Sequence, residues 1–346
     1  MKAASTLPTL HPPVRIRWSF DTKAGFVGLP PVTDRGGEVI VVAVHDELIG
    51  LAARTGERLW SHRETNTIMT LQACDVGPVI TIAQEEDMKL AAFSWRGESL
   101  WDRSSGIAIG GDGLKGAGTH VIAIGVPSGR SRQQVCQVRN AATGEIETRF
   151  PCNGDVPDMV DGRFVYATPP GEGGGLFVYD PSSRKKRRVL DRGTTVRVVT
   201  DELAIVDTND DDGVSRLIAV DIASGKIRWE DEGGRNFSLS VAGGQLASAI
   251  TVDKDKLAMT LRDAATGRRL WAASSVKAEY IAPLLAADCV VGTIAGERID
   301  IYDRADGQQV QSLQHKSNLV GGGCLASTGL IDVASGHVFC LSGEAS

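Results

Sequence analysis

Strand-sized stretches of apolar or alternating residues recur along the whole chain, each followed by a turn-forming cluster. In the segment ending at Trp229, residues 196–199, 203–207, 216–221 and 226–230 carry this pattern. Asp201-Glu202, the cluster 210–213 and residues 223–225 separate them as turn signals. The spacing predicts four short antiparallel strands. The run 39–44, Val-Ile-Val-Val-Ala-Val, is also strand-sized. No stretch approaches the apolar length that a membrane-spanning helix needs.

The four-strand unit repeats. Ala53-Arg54-Thr55-Gly56-Glu57-Arg58-Leu59-Trp60 matches Ala223-Ser224-Gly225-Lys226-Ile227-Arg228-Trp229 and Ala265-Thr266-Gly267-Arg268-Arg269-Leu270-Trp271. In each, a Gly precedes a Trp by four positions, and Gly97 with Trp101 keeps the spacing. Thr143-Gly144 with Thr148, and Asp306-Gly307 with Gln311, keep the turn without the Trp. Ser183-Arg184, following Asp180-Pro181, keeps only the register, with Arg188 at the Trp spacing. The marks fall at 56, 97, 144, 184, 225, 267 and 307, in steps of 41, 47, 40, 41, 42 and 40. Trp18 implies another at position 14, and the step after 307 falls at the end of the chain. One unit is therefore split between the termini, with 337–342 expected as its third strand and 15–21 as its outermost. Four-stranded units at this spacing make a β-propeller. The expected architecture is all-β, an eight-bladed propeller of four-stranded antiparallel blades, closed by pairing the N-terminal and C-terminal strands. Residues 1–13 read as an extension and 14–346 as one propeller domain. Gly56, Gly225 and Gly267 are expected at positive φ, with each Trp packing between neighbouring sheets.

The order apolar strand, Asp, two variable residues, Ser or Thr, Gly, three residues and Trp resembles the PQQ-type propeller repeat. Its best copies are Val220-Asp221 with Gly225 and Trp229, and Arg262-Asp263 with Gly267 and Trp271. Such repeats occur in quinoprotein alcohol dehydrogenases and in the outer-membrane assembly lipoprotein BamB. The resemblance implies eight blades and leaves function open, because a fold does not carry an activity. A WD40 ring fits less well: Trp101-Asp102 is the sole Trp-Asp pair, and Gly336-His337 the sole Gly-His pair. The quinoprotein enzymes stack their quinone over a disulfide of neighbouring cysteines and hold calcium or a lanthanide beside it. No two cysteines here are neighbours, and no Cys-x-x-Cys-His for haem exists. No cofactor is expected.

Composition changes the picture little. Gly, at 40 of 346 residues, agrees with many tight turns. The net charge of −6 argues against a general nucleic-acid binder. The first residues lack the basic start and apolar run of a secretory signal. Cys74, Cys136, Cys152, Cys289, Cys324 and Cys340 show no close pairing, so they read as small core residues in a reducing compartment. The expected location is cytoplasmic.

Candidate chemistry is sparse. Asp207-Thr208-Asn209-Asp210-Asp211-Asp212-Gly213 resembles a calcium loop, but its frame lacks a first carboxylate, and a solvated hairpin tip explains it. The six histidines form no ligand spacing, and there is no nucleophile elbow or P-loop. No helix follows the glycine clusters 110–113 and 171–175. The run Arg184-Lys185-Lys186-Arg187-Arg188 enters an outermost strand, where edge charge repels unwanted strands; a partner contact is the other reading. Loops at one channel mouth carry Lys23, Arg63, Arg103, Arg192, Arg235, Lys277 and Lys316, with Asn236 and Tyr280 beside them. The longest repeat interval adds a loop with Arg130 and Arg132. These residues are candidate contacts for a protein partner or an anionic ligand. The expected function is a non-catalytic protein-interaction scaffold without nucleic acid or membrane insertion. The alternative is an enzyme or binding protein for a small metabolite or sugar in the channel, since propeller sites assemble from single residues on separate blades.

Overall fold

The computed structural model describes all residues except 1–8, 11, 24–28, 85–87, 128–132, 169–173, 193, 210–214, 233–238, 254–255, 279–280, 295–297, 315–323, 327–328, 335–336 and 344–346. Among the described residues the regular elements are strands. They form eight antiparallel sheets, the blades of a propeller, seven with their strands in sequence order and one of these with a short fifth strand. Along the chain, blade 1 spans residues 32–63, blade 2 68–104, blade 3 107–151 and blade 4 158–190. Blade 5 spans 194–232, blade 6 239–277 and blade 7 281–314. Blade 8 takes three strands from 324–343 and its fourth from Val14–Asp21. That fourth strand runs antiparallel to His337–Gly343, from Val14 opposite Gly343 to Asp21 opposite His337. The termini thus pair as the repeat arithmetic requires.

The blades group into two compact units: blades 1, 2, 3 and 8 in one, blades 4 to 7 in the other. Within each, the core lies in layers between consecutive blades. The strand Val39–Val44 shows why its sequence is apolar throughout. Ile40, Val42 and Val44 pack with Ile331, Val338 and Cys340 of blade 8. Val41 and Ala43 pack on the other side with Leu71, Ile80 and Phe93 of blade 2. A strand covered on both faces needs apolar residues at every position. Corresponding layers join blades 2 and 3, 4 and 5, 5 and 6, and 6 and 7. Ahead of the first strand, Leu10 is buried against blade 7, its N–H donating to Asp288 Oδ1 at 2.8 Å.

The repeated Gly and Trp belong to neighbouring blades. Each indole N–H donates across the layer: Trp18 to Ala53 O, Trp60 to Trp95 O, Trp101 to Ala141 O, Trp229 to Ala264 O and Trp271 to Arg304 O, at 2.8 to 3.0 Å. The acceptor lies in the turn of the next blade, and the indole lies over that turn's Gly. A Cβ on Gly267 would stand 2.5 Å from the Trp229 ring, and one on Gly144 would stand 2.6 Å from Trp101. Gly267 and Gly144 both have φ of 71°, a left-handed conformation that other residues adopt at a cost. Backbone conformation and ring contact therefore demand Gly twice over.

The Asp that opens the motif closes the same turn. Asp221 Oδ1 accepts from Ser224 N and Oγ, and Asp263 Oδ1 accepts from Thr266 N and Oγ1. Asp180 does the same with Ser182 and Ser183. These bonds favour the carboxylate. The Ser182 and Ser183 donors pull Asp180 down to about 2. Arg228 and then Ser224 hold Asp221 well below the ordinary range, and Thr266 lowers Asp263.

Gly267→Ala should destabilise the protein by about 2 kcal/mol, through strain and collision with Trp229. In a Trp229→Ala background its cost should fall to about 1 kcal/mol, because only the backbone term remains. Urea denaturation of the four proteins measures the coupling, and strictly additive costs would contradict the contact. The turn carboxylates set an acid dependence. Their folded pKa values lie below the unfolded values, so their stabilisation is complete above about pH 4 and is lost as pH falls towards 2. Melting temperature should drop across that window. It should drop less steeply in the triple variant Asp180→Asn, Asp221→Asn, Asp263→Asn, and an unchanged slope would assign the acid sensitivity elsewhere.

Candidate interaction surface

Of the cations expected to surround a channel mouth, five lie in the described residues: Lys23, whose N–H donates to Asp21 Oδ1 at 2.7 Å, and Arg63, Arg103, Arg192 and Lys277. Arg63, strongly exposed, faces Asp46 at 3.7 Å and Glu47 at 3.4 Å on its own blade. Arg103 donates to Thr143 O at 3.3 Å, reaching the turn of blade 3 from blade 2. Arg192 pairs with Glu230 of blade 5 at 3.4 Å. Lys277 lies on the short fifth strand of blade 6, opposite Lys256. Arg130, Arg132, Arg235, Asn236, Tyr280 and Lys316 lie outside the described residues, as does most of the acidic loop 207–213.

Next to Arg63 is an ionic cluster that motif spacing does not reveal. Glu64, nearly buried, lies 3.2 Å from His62 and 3.6 Å from Lys89. Lys89 also meets Asp102 at 2.8 Å. That hydrogen bond raises the Lys89 pKa and lowers that of Asp102, so both stay charged. The cluster ties the exit of blade 1 to blade 2.

Other charges are buried for the same purpose. Arg262 is 4% exposed and donates to Asp231 on the fourth strand of the preceding blade, and to Gly267 O at 3.3 Å. Arg139 occupies the same place in the repeat. It donates to Ser104 O and Ser105 O of the preceding blade at 3.2 and 3.1 Å. Each arginine reaches back one blade, where the tryptophans reach forward. Asp300, fully buried, accepts from Ser312 Oγ at 2.7 Å and Arg298 Nε at 3.0 Å within blade 7. Every carboxylate whose pKa is clearly displaced among the described residues moves downward, which holds it charged rather than fits it to donate a proton. Burial pushes the thiols of Cys74, Cys289 and Cys324 up to about 12. They stay protonated and poor nucleophiles.

The basic run lies on the fourth strand of blade 4, Lys185–Leu190. Arg184 takes the turn position with φ of 54°, where most repeats have Gly. The Trp position is filled by Arg187 and not by Arg188, as counting four residues from 184 suggests. Arg187 stands opposite Val178, as Trp229 stands opposite Ala219, two residues before the capping Asp in both blades. Its guanidinium donates to Ile222 O, 35 residues on, the same separation as for Trp18, Trp60 and Trp229. The offset arises because this strand omits the extra residue that precedes Trp229. Lys186 Nζ stands 3.9 Å from the centroid of Phe177, and the Arg188 guanidinium 5.4 Å from it.

The chain matches the family described as outer membrane protein assembly factor BamB over residues 13–190 and again over 109–313. No curated protein sequence matches it significantly. Its fold is similar to BamB from Moraxella catarrhalis, with a TM-score of 0.67 and 16% identity over 96% of this chain and 98% of that one. The quinohemoprotein alcohol dehydrogenase from Comamonas testosteroni gives a TM-score of 0.65 at 11% identity, over 96% of this chain and 77% of that one. Saccharomyces cerevisiae Sqt1 gives 0.64 at 11% identity, over 94% and 97%. At such identities the likeness is one of fold.

Replacing Arg262 by Ala should cost about 3 kcal/mol, since Asp231 then loses its buried partner. Replacing the exposed Arg187 by Ala should cost about 1 kcal/mol, the scale of a solvent-screened hydrogen bond. Equal costs in chemical denaturation would refute this ranking.

Proposed function

Because the chain belongs to the PQQ-like propeller family described as outer membrane protein assembly factor BamB, we propose that it is a non-catalytic scaffold that binds a protein partner through blade loops and outer strands. The observation that carries this reading is the use of the buried charged groups. Arg139, Arg262 and Asp300 join or brace blades, which leaves recognition to exposed residues. Pyrroloquinoline quinone, which the quinoprotein relatives of the fold bind, does not fit this chain. None of its six cysteines forms a disulfide, and five are buried rather than presented as a neighbouring pair. Cysteines outside any disulfide are in keeping with the cytoplasmic location we propose. The printed name of the family concerns assembly at an outer membrane, and from it we take only binding to protein.

Affinity purification of the tagged full-length chain from the cytosol of its own cell, followed by mass spectrometry, tests the reading. A protein partner should be recovered in stoichiometric amount and should survive a nuclease treatment. Recovery of the chain alone with a tightly held metabolite would overturn the scaffold and point to the channel.

A further inference from the structure

The fourth strands share a defect, and blade 4 lacks it at the usual place. In the other seven blades, among the described residues, one residue drops out of the ladder just before the Trp position. These residues are Arg17, Leu59, Leu100, Glu147, Arg228, Leu270 and Val310. Such a bulge bends the strand and breaks the regular edge that another strand would need for pairing. In blade 4 the ladder runs without interruption from Asp180 opposite Lys185 to Phe177 opposite Arg188, and the bulge falls later, at Val189. The unbent part is Lys185, Lys186, Arg187 and Arg188, all exposed. This strand ends its sheet, bordered on the far side by no other described strand.

We propose that this edge docks an acidic, extended segment of a partner protein, which adds to blade 4 as a fifth strand. The inference rests on the scaffold reading and gives its partner a chemistry. Two features point to an acidic strand. Side chains alternate along a strand, so Lys186 and Arg188 share one face about 7 Å apart, the spacing of alternate residues on a partner strand. Packing against Phe177 holds both side chains in place, which lowers the ordering cost of binding. A second copy of this edge is excluded as occupant, since lysines and arginines would then oppose one another. The chain's net charge of −6 disfavours a nucleic-acid backbone, whereas a short acidic segment meets only the local field.

The test uses the full-length protein and two fluorescent peptides of equal charge. One alternates Thr and Glu, and the other has Pro in place of two Thr, which prevents strand pairing. The Thr-Glu peptide should bind at least about tenfold more tightly and should slow amide exchange in residues 185–190. Lys185→Glu with Lys186→Glu should weaken it by about tenfold or more while the protein stays folded by circular dichroism, and Lys185→Gln with Lys186→Gln should weaken it less. Any of several results would overturn the proposal: no binding, equal binding of both peptides, exchange that slows elsewhere, or preference for an oligothymidine probe. A purified partner retained in full by the Lys-to-Glu variant would remove this edge as its site and leave the scaffold standing. Failure to recover any partner, with the peptide bound as expected, would count against the scaffold alone.

Discussion

Each tryptophan of the repeat does two things at one place: its ring covers a neighbouring blade's Gly turn, and its N–H satisfies a carbonyl of that turn. A four-stranded blade has two apolar faces and cannot bury either one alone. The indole fixes the position of the next blade, because a hydrogen bond is directional where apolar packing is not. It also explains why the motif consists of residues far apart in function. Asp closes the turn, Ser or Thr donates to Asp, and Gly leaves room for the preceding blade's indole. A blade's own Trp acts on the blade after it. The repeating structural unit is thus the junction rather than the blade.

Blade 4 shows what happens when a junction is built with other chemistry. Arg187 reaches the same carbonyl position as an indole would, through a long polar side chain. Omission of the residue before it keeps the strand regular for four pairs. The guanidinium gives the hydrogen bond without a broad apolar ring, so Val189 and Leu190 carry the packing against Ile218 and Val220. One change in chemistry therefore alters the shape, charge and accessibility of an outer strand together. That coupling makes this strand different in kind from the other outer strands.

The blade architecture was legible because it rests on local patterning and a period. Strand limits at 203–207 and 216–221 differ from the observed Leu203–Asn209 and Ser215–Asp221 by two residues at most. Positive φ at Gly56, Gly225 and Gly267 followed from turn chemistry. Junction partners were less accessible. Nothing in a single sequence indicates that Gly267 exists for Trp229, or that Arg262 meets Asp231, since the pairs span a whole repeat. Counting from the turn placed Arg188 at the Trp position, because a bulge shifts register without changing spacing in sequence. The ionic group of His62, Glu64, Lys89 and Asp102 was missed for a related reason: its members come from three strands and the loop after one of them, and match no motif.

The same physics explains why function is harder to read here than fold. Regular blades require their interior polar groups to bind one another, and Arg139, Arg262 and Asp300 do so. Residues with the most chemistry are then bound to architecture, and a search for reactive groups finds supports. What remains available for recognition is whatever the architecture does not constrain, namely loops and the far edges of fourth strands. A bulge removes most such edges from use by bending them. Charge is the other means of protecting an edge, and it differs in one respect: a bulge rejects every strand, whereas a row of cations rejects like-charged strands and attracts opposite ones. An edge protected by charge is therefore selective where an edge protected by shape is closed.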